Sequence, residues 1–315
     1  MYSQANFVIL VATLFAVIII GSFLLKRLLY VTKSISRAKN TLSLLVKDIE
    51  GKIFHNLSWK QGKLTLRAPN DQVAELRATI DIVMTTYNLT MGVPTPLPDY
   101  VVSSERVGDC GYYYRCIDSV HHVAFRGTST RKDIAVDLDF TQSRFKGVWY
   151  DTESKEIPLV HHGFFMWWNR HTAALVDVVR RVPDGELIRF SGHSMGCALA
   201  AFSALDCAAR GKSRVECTLV ASPRLGDDVF TAELVRLVGA LTVVNNERDL
   251  VTNLPPPNIP LLVTTYIYDS YPPANVLLLN FETNEITGNH QLDSYATALE
   301  GGKPSKWRWN RAPRH

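Results

Sequence analysis

Cysteine is scarce in this chain and odd in number: Cys110, Cys116, Cys197, Cys207 and Cys217 are the whole set among 315 residues. So sparse a set excludes a small disulfide-stapled fold and fits a reducing compartment better than an oxidising one. Cys110 and Cys116 stand close enough to bridge a short hairpin, while the other three lie in apolar stretches where cysteine acts as a small hydrophobe. There is no Cys-x-x-Cys and no Cys/His cluster with metal-site spacing. His121-His122 and His161-His162 are adjacent pairs, whereas two ligands on one helix face stand four residues apart. Charge is modest at 20 % of residues with a net +4, and no repeat or low-complexity tract is present. Nothing resembles a nucleic-acid-binding module, so no nucleic-acid partner is expected. With 46 % hydrophobic residues the chain is long enough to bury one large core, which predicts one catalytic domain with accessory segments.

Long hydrophobic runs are absent but for one. Phe7 to Leu25 is interrupted only by Thr13, Gly21 and Ser22. As a helix the run would span about 28 Å, close to the ~30 Å hydrocarbon core of a bilayer. A cleaved secretory signal would carry a basic start, and Met1 to Asn6 holds no positive side chain. Residues 1–27 are therefore expected to be a retained single-pass anchor. Lys26, Arg27, Lys33, Arg37 and Lys39 follow it, which predicts a cytoplasmic catalytic domain by the positive-inside rule. Both this cluster and the basic tail at 301–315 suit anionic lipid head groups, although a solvated tail is the simpler account of the second. On that topology the glycosylation-type triplets at Asn56 and Asn88 stay unused.

Residues 28–100 read as a connector with accessory helices: a short strand at 63–66, a helix capped by Asn70 and running to about Tyr87, then Pro94, Pro96 and Pro98. Within 101–300, strands at 112–117 and 120–125 flank Asp118-Ser119 as a hairpin, and a helix is expected over 164–182. Strand 186–191, helix 197–210, strand 217–221, helix 228–238 and strand 241–245 then alternate. That rhythm predicts an α/β fold with a mainly parallel sheet flanked by helices. Strands at 261–268 and 276–281 and a helix from about Gln291 complete the domain.

Gly192-His193-Ser194-Met195-Gly196 falls between an expected strand and an expected helix. About one random chain in ten of this length contains G-x-S-x-G, so the pentapeptide alone is weak evidence. Its position is what marks Ser194 as a nucleophile on a tight strand-to-helix turn. A serine alcohol needs a histidine to take its proton and a carboxylate to hold that histidine. In α/β-hydrolase order the acid and then the histidine follow the serine. Only His290 and the terminal His315 do so, and His290 lies in a turn before a helix. Asp249, just past the strand 241–245, is the favoured acid, with Glu247, Asp227 and Asp228 as rivals. Thr128, after Phe125-Arg126-Gly127, and Met195 are the expected oxyanion donors through their backbone N–H groups.

With these pieces in place the chain resembles the class 3 lipases, the fungal triacylglycerol lipases and their esterase relatives of the α/β-hydrolase superfamily. The matching stretches are Phe125-Arg126-Gly127-Thr128, Asp137-Leu138-Asp139-Phe140, His162-Gly163-Phe164, Gly192 to Gly196, Ser222 to Asp227, Asn246-Glu247-Arg248-Asp249 and Pro255-Pro256, in family order between Tyr112 and Tyr295. The resemblance implies Ser194 as nucleophile, Asp249 as acid, His290 as base, Thr128 with Met195 as oxyanion hole, and no metal or organic cofactor. It also implies a lipid ester substrate. Where the family carries a lid helix, often with an exposed Trp, this chain has Ser129 to Leu138 with Ile134 in that place and Arg131 at an apolar position. Weaker adsorption to oil is expected, and an anchored enzyme would meet mono- or diacylglycerol, lysolipid or phospholipid esters in the bilayer. No obligate protein partner is evident. The rival readings are a catalytically inactive, membrane-tethered binding protein on the same fold, and a serine peptidase.

Overall fold

Consecutive buried residues along single strands require apolar cover on both faces of a sheet, because side chains alternate with a period of two. Val123 and Phe125 join one apolar cluster while Ala124 between them joins a second, and Leu219/Val220 and Val243/Val244 divide in the same way. The structure, a computed structural model, describes residues 70–90, 101–103, 112–127, 140–150, 156–211, 213–260, 265–283 and 286–301. The expected anchor at 1–27, the strand at 63–66, the proline crossing, Cys110, Thr128, the lid stretch 129–138 and the tail from 302 lie outside the described residues. Among the described residues no helix is long and apolar enough to cross a membrane.

The chain divides into two units, Met1–Thr65 with Ile259–Thr265, and Leu66–Asn258 with Tyr266–His315. The second holds a seven-stranded sheet. Its strands are β1 (Val101–Ser103), β2 (Tyr112–Ile117), β3 (Val120–Phe125), β6 (Leu187–His193), β7 (Arg214–Val220), β8 (Ala240–Asn246) and β11 (Val276–Leu279), in that spatial order. The first two pairings are antiparallel and every later one is parallel. Asp118 and Ser119 turn the β2–β3 hairpin with positive φ at both positions, 48° and 60°, as a two-residue turn of the primed kind requires. Two short strands, β4 (Gln142–Arg144) and β5 (Leu159–His161), pair outside the main sheet. The short segments β9 (Asn258–Pro260) and β10 (Thr265–Ile267) precede β11; of the expected strand at 261–268, residues 265–267 are extended and 261–264 lie outside the described residues.

Three helices fill the first cluster. They are α2 (His162–Arg181), α3 (Gly196–Ala209) and α4 (Asp228–Leu237), which supply Phe164, Trp168, Leu199, Phe202, Phe230 and Leu234. On the opposite face α1 (Asn70–Thr90) lays Leu76, Ile80 and Val83 on the sheet at helical spacing. Beside it lies α6 (Leu292–Leu299), with Leu292, Tyr295 and Leu299 buried. Arg189 of β6 ties α1 to the sheet, bonding Glu216 of β7 at 2.6 Å and Glu75 of α1 at 2.5 Å. A short helix, α5 (Ile286–Asn289), leads into α6. Cys116 is a free thiol, so the bridge to Cys110 that their spacing allowed is not made.

Candidate active site

Parallel strands end on one edge of the sheet, and that edge is where open α/β sheets place reacting groups. Here β3 ends just before Gly127, β6 just before Ser194 and β8 three residues before Asp249, while β11 leads through α5 to His290. Ser194 has φ +57°, a left-handed backbone forced on a non-glycine residue, with its N–H held by the Val220 carbonyl at 3.1 Å and its own carbonyl accepting from Cys197 N–H at 2.9 Å. The flanking glycines make this turn possible by close approach. A Cβ on Gly192 would strike the Gly196 carbonyl, and one on Gly196 would strike the carbonyls of Phe125 and Arg126.

The structure brings Ser194, His290 and Asp249 together. Ser194 Oγ lies 2.8 Å from His290 Nε2, and His290 Nδ1 lies 2.7 Å from Asp249 Oδ2. A carboxylate oxygen only accepts, so Nδ1 carries the hydrogen and the Nε2 lone pair faces the serine. Asp249 is fully buried at its side chain, whereas His290 is 21 % exposed. Its carboxylate is well supplied with donors: Val251 N–H reaches Oδ1 at 2.9 Å and the Tyr295 hydroxyl reaches Oδ2 at 2.8 Å. Burial, and then the neighbouring Asp249 charge, hold the Tyr295 phenol well above its ordinary pKa, which keeps it a donor.

The turn carrying His290 is braced against β8. Asn246 donates from Nδ2 to the Asn289 carbonyl at 3.3 Å and accepts from Phe281 N–H at 3.1 Å through Oδ1, while Asn289 Oδ1 accepts from Thr283 N–H at 2.9 Å. The rival acids are employed elsewhere. Asp227 caps α4, accepting Phe230 N–H at 2.8 Å and Leu159 N–H at 3.1 Å, and Asp228 accepts from Val229 N–H at 3.0 Å. Glu247 is exposed.

Met195 opens α3 with helical φ −52° and ψ −33°, so its N–H belongs to the end of a helix where backbone donors and the positive end of the dipole point outward. Thr128 lies outside the described residues, but Gly127 beside it is packed against Ser194: a Cβ there would fall 2.7 Å from Ser194 Cβ. The two histidine pairs do other work. His121 contacts Tyr114 Oη at 2.8 Å and Glu186 at 2.5 Å, and His162 contacts Ser143 Oγ at 2.6 Å. Among the described residues no group of three or more His, Cys, Asp or Glu side chains is arranged to hold a metal ion.

Three residues near the site carried no signal in the sequence beyond their type: Tyr87, His193 and Tyr295. Each acts through a contact between distant segments, which single-chain spacing does not reveal. His193 alone sat inside a motif, at a position the motif leaves open.

Residues 122–259, less than half of the chain, match the family described as Lipase (class 3). Over 152 residues it is 36 % identical to the secreted mono- and diacylglycerol lipase A of Penicillium camembertii, an alignment covering 47 % of this chain and 45 % of the relative. Over 160 residues it is 32 % identical to phospholipase A1-II 3 of Oryza sativa subsp. indica, covering 42 % of this chain and 38 % of that one. The chain thus spans less than half the length of these curated relatives. In three dimensions a triacylglycerol lipase from Penicillium expansum superposes with a TM-score of 0.53 at 17 % identity, covering 68 % of this chain and 81 % of that one, a likeness of fold alone. The fold is that of the α/β-hydrolases.

Proposed function

We propose that this protein is a serine hydrolase of lipid carboxylic esters. One observation carries the reading: the continuous path Ser194 Oγ to His290 Nε2, and His290 Nδ1 to Asp249 Oδ2, at 2.8 and 2.7 Å on the carboxyl edge of the sheet. In that arrangement His290 takes the hydroxyl proton as Ser194 Oγ attacks the ester carbonyl. The buried Asp249 holds the imidazole in the needed tautomer and stabilises its positive charge. Met195 N–H and Thr128 receive the negative charge that develops on the carbonyl oxygen, and each such donor is worth about 10²–10³ in rate. Collapse releases the alcohol with the proton from His290. Water, deprotonated by the same imidazole, then cleaves the acyl-enzyme. The relatives named for phospholipase A1 and for mono- and diacylglycerol lipase support a glycerolipid ester as substrate.

The test is hydrolysis of mono-, di- and triacylglycerols and phospholipids, together with labelling by a fluorophosphonate. Ser194→Ala and His290→Ala are each expected to remove nearly all hydrolysis and labelling, and the double variant to lose little more, because the residues act as a unit. Full activity in either single variant overturns the assignment. A wild-type protein that neither labels nor hydrolyses any of these esters supports the inactive binding protein instead.

The reading also includes attachment to a membrane through residues 7–25, with residues 26–315 on the cytoplasmic side. The length of the uncharged run and the basic residues after it support this. Resistance to carbonate extraction and no glycosidase-sensitive mass shift are expected. Glycosylation at Asn56 or Asn88 overturns the topology, and a mature N-terminus near residue 26 overturns the anchor.

A further inference from the structure

His193 stands immediately before Ser194 at the end of β6, with its ring buried. Its Nε2 lies 2.9 Å from the backbone carbonyl of His290 and its Nδ1 lies 2.7 Å from Tyr87 Oη of α1. A carbonyl only accepts, so Nε2 carries the hydrogen and Nδ1 accepts from the tyrosine. Tyr87 Oη in turn accepts from Gly127 N–H at 2.7 Å. Every proton in the line is thereby assigned: Gly127 N–H to Tyr87, Tyr87 O–H to His193, His193 N–H to the His290 carbonyl. Burial first, and then the adjacent His290, push His193 down to about 3, so the ring stays neutral and the line keeps its direction across the physiological range.

The two ends of this line are both parts of the site. Gly127 precedes the expected oxyanion residue and packs on Ser194, and His290 is the expected base, its ring centroid 5.0 Å from that of His193. An anchor that only fastened α1 to the sheet would need neither end. Arg189 with Glu75 already provides such an anchor farther along the helix.

We infer that Tyr87 and His193 are positioning residues. They form a hydrogen-bonded strut that fixes the spacing between the oxyanion loop and the His290 backbone, and half of it comes from a helix outside the matched segment 122–259. The inference rests on the serine-hydrolase reading above. Its chemical consequence is confined to the bond-making step, because small misplacements of reacting groups cost rate more than binding.

The test uses the full chain, steady-state ester kinetics and thermal unfolding. Tyr87→Phe keeps the ring and removes the oxygen. Its kcat is expected to fall about 10- to 100-fold with KM within about twofold. His193→Asn places an acceptor near Nδ1 but cannot reach His290, whereas His193→Gln places a donor near Nε2. Each variant cuts the line at one link, so the two are expected to lose kcat alike, with KM within about twofold. Tyr87→Phe combined with His193→Asn is expected to be no worse than the poorer single, since one strut breaks once. Unchanged kcat in Tyr87→Phe, multiplicative losses in the double variant, or losses confined to KM overturn the inference. If Tyr87→Phe unfolds, the Gln and Asn pair decides alone: wild-type kcat in either variant overturns it. A wild-type protein without hydrolysis or fluorophosphonate labelling is a different result, which removes the functional reading itself.

Discussion

Tyr295 donates its phenolic hydrogen to Oδ2 of Asp249 at 2.8 Å, sharing that oxygen with His290. The same hydroxyl accepts from Asn246 N–H at 3.0 Å, so a single oxygen on α6 satisfies one backbone group of β8 and helps to hold the carboxylate. Both partners are buried, and a group left without its hydrogen bond there has no water to replace it.

Tyr295→Phe is accordingly expected to act on two quantities. Unfolding free energy in urea falls by about 1–3 kcal/mol, since the Asn246 N–H loses its acceptor in the interior. Ester hydrolysis falls by about tenfold in kcat as the carboxylate gains freedom to turn away from His290. Wild-type values of both would show that Asp249 is held by Val251 N–H and His290 alone.

Gly127→Ala tests the approach of the expected oxyanion loop to Ser194. The new Cβ would fall 2.6 Å from Tyr87 Oη and 2.7 Å from both the His193 carbonyl and Ser194 Cβ, so backbone has to move. A loss of about 10²-fold in kcat is expected in steady-state kinetics. Thr128→Ala, which keeps the backbone N–H, is expected to lose less, and in kcat rather than KM. Equal KM-only effects in both would place this loop in the acyl pocket.

Two buried histidines set an acid limit on stability. Burial, and next the charge of Arg189, push His122 down from its ordinary 6.5 to about 4, and His193 stands at about 3. Both bind protons more readily in the unfolded chain, so unfolded molecules carry more protons below pH 6.5 and stability rises with pH through that window. The contribution is complete above about pH 6.5 and is lost as pH falls toward the folded values of about 4 and 3. Urea midpoints at pH 5, 6 and 7 are expected to climb, and His122→Gln, which does not titrate, is expected to flatten the slope by up to one proton's worth. An unchanged slope would mean that His122 is charged in the native state.

The three residues of the candidate site were legible because each leaves a local mark. Ser194 sits between a strand and a small-residue helix, Asp249 follows an apolar run, and only His290 and His315 come after them. The parallel strands were legible for the same reason, with ends displaced by a few residues: β7 begins at Arg214 rather than 217, because pairing with β6 extends it beyond its apolar stretch. Strands β4 and β5 left no mark. Gln142-Ser143-Arg144 carries no apolar alternation, and its extended form comes from pairing with Leu159–His161. Tyr87 and Tyr295 were likewise silent, since a tyrosine at helical spacing reads as core until its hydroxyl is seen to meet Gly127 or Asp249.

The sheet's second apolar face has a consequence for any attempt to isolate the part that matches the family. Tyr113, Ala124, Val220 and Val244 are roofed by α1 and α6, and neither helix falls within the segment shared with the family. Cutting the chain to residues 122–259 would strip that roof, present a contiguous greasy surface to water and remove His290 at the same stroke. The smallest piece that keeps both the roof and the candidate triad is therefore set by its coverings rather than by its motifs. It has to start before Asn70 and run past Leu299.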